Sequence, residues 1–243
     1  MIPVRSLTWL KFGNRYYSSS SKKWLSRQAG DRFVKDARAQ QYRARSAFKL
    51  IQLNEKHRFL KKGSHVIELG ASPGGWTQVI AEKVFKGKNN ANVDDDSTVR
   101  TGTVIAVDLL PTEPIPGVNM LQGNFLENGT QRQILEILNG KEVDAVLSDM
   151  APSFSGNHHA DHAKSMELCH MSLSFAVNIL KSGGVFVCKF LMGGDEVELK
   201  KRLRTHFQKV KHEKPSASRK ESTEGFLVAT GFRDDTRQLQ ADV

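Results

Sequence analysis

Cysteine is scarce in this chain: Cys169 and Cys188 are the only two in 243 residues. They lack the partner spacing of a zinc site, and their apolar neighbours mark them as small buried hydrophobes in a reducing compartment. Long hydrophobic runs are lacking as well, none approaching a membrane span, although a hydrophobic content of 39% suits a globular core. Acids are absent from residues 1–30, where Arg5, Lys11, Arg15, Lys22, Lys23 and Arg27 stand unopposed. That stretch also lacks the uninterrupted apolar core of a secretory signal. Its serine run, Ser18 to Ser21, with Leu7, Trp9, Leu10 and Phe12 interspersed, is the composition of a mitochondrial transit peptide. The alternative is a retained basic arm that touches nucleic acid.

The net charge of +10 is held unevenly. Residues 1–30 carry +6, residues 32–62 carry +8, and residues 63–243 sum to −3. The division places a basic extension over 31–62, a mildly acidic domain over 63–232 and a polar tail over 233–243. Within the extension, Ala47, Leu50 and Ile51 give Arg43 to Phe59 a helical stripe. Lys49 falls on the polar face, among Arg45, Ser46, Gln52 and Lys56. So dense a positive block beside an acidic domain is the electrostatic footprint of a nucleic-acid partner.

The domain is organised around Ser64-His-Val-Ile-Glu-Leu-Gly-Ala-Ser-Pro-Gly-Gly-Trp76. An apolar run ends at Gly70, a tight turn follows, and Val79, Ile80 and Val84 open a helix that runs to about Phe85. This is the strand–turn–helix of a nucleotide-binding α/β sheet, with backbone N–H groups aimed at a ligand. Here too something is missing. Gly70 and Gly75 hold the outer positions of the dinucleotide fingerprint, but Ser72 replaces the middle glycine that lets a pyrophosphate approach. The ligand indicated is adenosyl without pyrophosphate, namely S-adenosylmethionine; a dehydrogenase is disfavoured on the same ground.

Further strands are expected at Thr103–Asp108, Val118–Leu121, Val143–Asp149, Val185–Leu191 and Gly225–Thr230. The polar run from Lys88 through Asp94–Asp96 reads as a surface loop. Asp108 and Asp149 close the second and fourth strands, Asp108 being placed for ribose hydroxyls and Asp149 for the switch-point crevice. Helices are expected at Thr130–Leu138, Lys164–Lys181, ended by Gly183-Gly184, and Asp195–Phe207. His158 and His162 would suit a metal only on a helix; Gly156-Asn157 argues for a polar loop instead, and no metal is expected. Lys189 lies in a strand apolar on both faces, where an unpaired ammonium is very costly. It must reach acidic partners at the open end of the strand or have a depressed pKa, and either makes it a functional candidate. Ser216, Ser218, Arg219 and Lys220 suit phosphate contacts.

Six ordered motifs then resemble one family. They are Tyr42-Arg-Ala-Arg-Ser-Ala-Phe-Lys-Leu50, Glu68-Leu-Gly-Ala-Ser-Pro-Gly-Gly-Trp76, Val107-Asp-Leu-Leu-Pro111, Ser148-Asp-Met-Ala-Pro152, Phe186-Val-Cys-Lys189 and Arg219-Lys-Glu-Ser-Thr-Glu224. Over Arg32 to Gly231 the chain resembles the FtsJ-type RNA 2′-O-methyltransferases. Asp31–Lys35, Ala217–Ser222 and the transit-like N-terminus look most like the mitochondrial members, which methylate a uridine ribose of large-subunit ribosomal RNA. The resemblance implies a Rossmann-like α/β methyltransferase fold, a mostly parallel doubly wound sheet with an antiparallel last strand. It implies a catalytic tetrad at Lys49, Asp149, Lys189 and Glu224, of which Lys49 and Glu224 rest on resemblance alone. It places S-adenosylmethionine against Pro73, Gly74, Gly75, Trp76, Asp108, Asn124 and Asp149. Asn124 stands where bacterial members have Asp, and either accepts a hydrogen bond from an adenine amino group.

The expected chemistry is in-line methyl transfer to a ribose 2′-hydroxyl, with alignment supplying much of the rate. Lys189 would remove or polarise the hydroxyl proton, Lys49 pushing its pKa down and Asp149 and Glu224 opposing that shift while orienting it. The partner expected is ribosomal RNA in the assembling large subunit of the mitochondrial matrix, met by a monomer. Two rivals are an RNA-binding assembly factor with dispensable catalysis and a small-molecule methyltransferase, which would not need the basic block.

Overall fold

Apolar runs of four to six residues, too short for helices and apolar at successive positions, make the centre of one seven-stranded sheet. The computed structural model describes residues 30–85 and 102–234. The segment before Gly30 expected as a transit peptide, the polar stretch expected as a loop over 88–98 and the tail beyond Asp234 lie outside the described residues. The strands are β1 (His65–Leu69), β2 (Thr103–Asp108), β3 (Asn119–Gln122), β4 (Val143–Ser148), β5 (Leu180–Leu191), β6 (Phe207–Glu213) and β7 (Glu224–Phe232). Their order is β3-β2-β1-β4-β5-β7-β6. The first five run parallel, and β7 is antiparallel to both β5 and β6.

Alternation along the strands sorts the core into two layers. Ile67, Leu69, Ile105, Val107, Val146, Phe186 and Leu227 face one side, against Ile134 and Leu138 of α4 (Asn128–Leu138), Met166 and Leu173 of α5 (His158–Ile179) and Leu199 and Leu203 of α6 (Glu196–His206). Val66, Val104, Ala145, Leu147, Val187 and Phe226 face the other, against Ala47, Leu50 and Leu53 of α2 (Ala47–His57) and Trp76, Val79 and Ile80 of α3 (Gly75–Phe85). The basic extension is therefore part of the fold: its helix covers one face of the sheet.

Two elements are added and two local expectations corrected. The extension holds a further helix, α1 (Arg32–Ala39), whose N-cap Asp31 accepts a hydrogen bond from Phe33 N at 3.0 Å. The strand β6 carries no sequence expectation because an edge strand with exposed Lys209 and Lys211 has little apolar pattern; such lysines also deter edge-to-edge pairing. Gly156-Asn157 does not keep the histidines in a loop. Asn157 caps α5, its side chain accepting from His159 N and Ala160 N, so His158 and His162 are helical. Finally, α5 ends at Ile179 and β5 starts at Leu180, with Gly183 (φ 77) and Gly184 inside the strand beside a register irregularity against β4.

Candidate active site

The parallel strands bring their carboxyl ends to one edge of the sheet, and the reversed β7 brings its first residue there. Gly70, Asp108, Asp149, Lys189 and Glu224 thus share an edge although they come from five strands. The ends of β1 and β4 are drawn close: Asp149 N donates to Leu69 O at 2.9 Å. At Gly70 (φ 83) a Cβ would lie 2.8 Å from Met150 N, so only glycine fits. Asp108 braces the turn, Oδ2 accepting from Ser72 N and Oδ1 from Leu110 N, both at 2.8 Å.

A cavity of about 630 Å³ opens at this edge, lined by residues that include Gly70, Ser72, Asp108, Asn124, Asp149 and Lys189. Its size is that of a nucleoside-sized ligand site. Asn124 Oδ1 already accepts from Leu126 N at 3.0 Å, which fixes the amide and leaves one lone pair of that oxygen for a ligand. Pro73, Gly74, Gly75 and Trp76 are not among the residues that line this cavity. Trp76 is buried, its Nε1 donating to Ser46 O at 2.9 Å and its ring 5.8 Å from that of Phe226. Over Gly74 lies the side chain of Arg43, which donates to Glu113 O at 2.6 Å and Pro114 O at 3.1 Å. The basic extension closes over the turn, and Gly70 and Ser72 line the cavity beside it.

The four expected catalytic residues assemble as two ion pairs. Lys49 Nζ lies 2.6 Å from Glu224 Oε1, with side chains only 13% and 14% exposed. Lys189 Nζ donates to Asp149 O at 2.5 Å and sits 3.0 Å from Asp149 Oδ1. Of the two courses open to Lys189, an acidic partner at the strand end is the one taken. Burial alone would raise the Glu224 carboxyl, but Lys49, Ser218 and Lys189 outweigh it and hold it below the usual range. The shared influence of both lysines on Glu224 couples the pairs into one site. Asp149 Oδ1, despite the nearby ammonium, receives no aligned hydrogen bond. A buried carboxylate oxygen in that condition is an acceptor waiting for a ligand donor, and with the cavity's size and the Asp108–Asn124 wall it fits an adenosyl ligand.

Beneath the site, Glu68 of β1 is fully buried; Thr77 Oγ1 donates to its Oε2 at 2.7 Å. Burial, reinforced by Asp149 and Asp108 and opposed by Thr77, pushes its carboxyl up to about 8. Near neutrality it is held protonated, which spares Asp108 and Asp149 a third negative neighbour. The native state keeps this proton where the unfolded chain has lost it, so stability falls as pH rises from about 4.5 to about 8. Thermal melting of the wild type should drop between about pH 5 and about pH 8, while Glu68→Gln should show a flatter profile and lead at the alkaline end. Parallel profiles would refute the assignment.

Loop 214–224 is tied to the extension. Asp31 pairs with Arg45 and, at 3.3 Å, with Arg219, while Arg45 also donates to Ala217 O and Gln52 Oε1 accepts from Ala217 N. Ser218 is buried and Arg219 half-buried in this clamp, so of the four residues suited to phosphate contacts Ser216 and Lys220 remain exposed. Helical spacing had left Lys49 on a solvated face; docking of α2 against β7 makes that face a site wall. No sequence signal predicts that docking. Glu224 did have one, since the first residue of a reversed strand must fall at the catalytic edge. His162, expected in a loop, spends Nδ1 on Leu191 O at 2.6 Å and pairs through Nε2 with Asp195 at 3.2 Å.

Residues 42–232 match the FtsJ-like methyltransferase family. The chain is 43% identical over 219 residues to a ribosomal RNA large subunit methyltransferase E of Parvibaculum lavamentivorans, covering 90% of this chain and 84% of the relative. It is 46% identical over 214 residues to the protein of the same description from Ruegeria pomeroyi, covering 88% and 89%. A crystal structure of a candidate ribosomal RNA methyltransferase from Plasmodium falciparum superposes with a TM-score of 0.66 at 32% identity, over 79% of this chain and 98% of that one.

Proposed function

We propose that this chain, which belongs to the FtsJ-like methyltransferase family, methylates a ribose 2′-hydroxyl of ribosomal RNA. The methyl donor of this methyltransferase family is S-adenosylmethionine. The observation that carries the reading is a nucleoside-sized cavity lined by the Lys189–Asp149 pair, with the largely buried Lys49–Glu224 pair at the same sheet edge. Relatives described as large-subunit ribosomal RNA methyltransferases support the choice of RNA. The finer assignment is a uridine of mitochondrial large-subunit RNA, modified in the matrix by a monomer during subunit assembly. It is supported by the acid-free, serine-rich residues 1–30 and the motifs at 31–35 and 217–222.

S-adenosylmethionine, when bound, supplies an electrophilic sulfonium methyl; Asp108, Asn124 and Asp149 are the residues that would hold it. The chain's own groups do the rest. Lys189 Nζ, at the cavity wall, orients and polarises the 2′-oxygen, and its amine form accepts the hydroxyl proton as the O–C bond forms. Asp149 fixes the Lys189 amine through its carbonyl oxygen and carboxylate. Lys49, neutralised by Glu224, lines the approach and can meet the phosphate next to the target ribose. A 2′-hydroxyl is the group that separates RNA from DNA, so the proposal predicts inactivity toward DNA of the same sequence.

Mapping ribose methylation by mass spectrometry in mitochondrial ribosomal RNA, with and without the protein, tests the assignment. One 2′-O-methyl group on a large-subunit uridine should disappear without it. An unchanged map would sink the substrate assignment.

A further inference from the structure

The basic extension and the mildly acidic domain meet at a basic cleft away from the catalytic edge. It has a volume of about 380 Å³ and lies at the other ends of the same strands, where Ser64, Asp144, Val185 and Thr230 meet. Lys56, Arg58, Lys61, Lys181 and Lys209 line it. Two acids answer them: Asp144 pairs with Lys181 at 2.5 Å, and Glu213 pairs with Lys56 at 2.6 Å and His57 at 3.0 Å. Arg58, Lys61 and Lys209 are exposed and make no ion pair among the described residues.

The cleft and the catalytic edge are joined by one helix. Lys49 and Lys56 lie seven residues apart on α2, about 10 Å along its axis and on the same side of it. Lys49 enters the catalytic site and Lys56 the basic cleft. Across the sheet, Val185 in the cleft and Lys189 at the edge are four residues apart on β5, about 13 Å. The cleft therefore lies within a few nucleotides' reach of a polyanion held at the edge.

We propose that this cleft is a second RNA-backbone site, which grips substrate phosphates away from the methylated nucleotide and so favours long, structured RNA over short fragments. The proposal rests on the reading of the chain as an RNA methyltransferase. Lysine and arginine side chains without counter-charges around a polar cleft recognise phosphate charge and carry no base information. The site therefore adds affinity and registers the RNA, leaving the choice of nucleotide to the catalytic edge.

Lys61→Glu combined with Lys209→Glu alters the cleft and leaves the catalytic residues and every observed ion pair alone. The test measures binding of the full chain to transcribed large-subunit ribosomal RNA over a salt series, with S-adenosylmethionine binding and thermal melting as checks on the fold. Loss of two phosphate contacts should weaken RNA binding about ten-fold or more at physiological salt and make the log–log salt slope shallower by about 2. Cofactor binding and melting should stay at wild-type values. The milder pair Lys61→Gln and Lys209→Gln should move both quantities the same way by less, and it serves if the reversals disturb folding. An unchanged affinity and slope in the folded variant would overturn the proposal, whether the cleft is solvated or receives a protein. Wild-type protein that binds no RNA would instead overturn the functional reading on which the proposal rests.

Discussion

Lys189→Ala should lower methyl transfer to ribosomal RNA by a factor on the order of 10²–10⁴, the range for losing a positioned acid–base group. Affinity for S-adenosylmethionine should stay within a few-fold of wild type. The expectation follows from where Nζ is held: on Asp149 O at 2.5 Å, beside Asp149 Oδ1 and at the cavity wall. Lys189→Arg keeps the charge but is too broad for that seat and cannot give up a proton, so it should not restore activity. Rescue by arginine would reduce Lys189 to an orienting cation. The alanine variant also separates the enzyme from an assembly factor. Methylation lost with subunit assembly preserved leaves the assignment standing, whereas persistence of both contradicts it.

Glu224→Gln should be costly for a different reason. It leaves the Lys49 ammonium, 13% exposed, without its counter-charge and beside a second lysine that also acts on position 224. Breaking such a pair from one side costs about 2–4 kcal/mol, the lower part of that range allowing for partial exposure. Lys49→Met with Glu224→Gln should regain most of the stability because no charge is stranded, while methyl transfer stays low. Denaturant unfolding and methylation assays on the three variants decide it. If the double variant recovers activity as well, the pair is structural. The pH dependence has a fixed sign. A carboxyl depressed in the folded state contributes stability above its unfolded pKa, and the contribution is lost as pH falls through the lower folded value, in the acid range below about 4.5.

How much of this could be read beforehand depended on how local the signal was. The strands β1, β2, β4 and β5 announce themselves as apolar runs closed by Gly70, Asp108 or Asp149, and a sheet with helices on both faces follows from them. Asp149 and Lys189 are legible because a charge in or at the end of a buried strand demands an explanation. Lys49 is not, because its face of α2 becomes a wall only when β7 docks across it, and that contact spans most of the chain. The same distance hid the Asp31–Arg45–Arg219 clamp, which turns Arg219, expected to meet phosphate, toward the protein's own carboxylate. Edge strand β6 escaped for the opposite reason: with one side exposed it needs few apolar residues. Gly70 and Ser72 line the cavity beside the turn, while Arg43 and Ser46 of the basic extension pack over Pro73–Trp76, a contact no local signal announces.

The most direct test of the central claim is transfer of label from methyl-labelled S-adenosylmethionine to large-subunit ribosomal RNA by the purified chain, followed by digestion to nucleosides. The label should appear in a single 2′-O-methylated nucleoside with wild-type protein and vanish with Lys189→Ala. Label on a base, label on DNA, or equal incorporation by the Lys189→Ala protein would contradict the account.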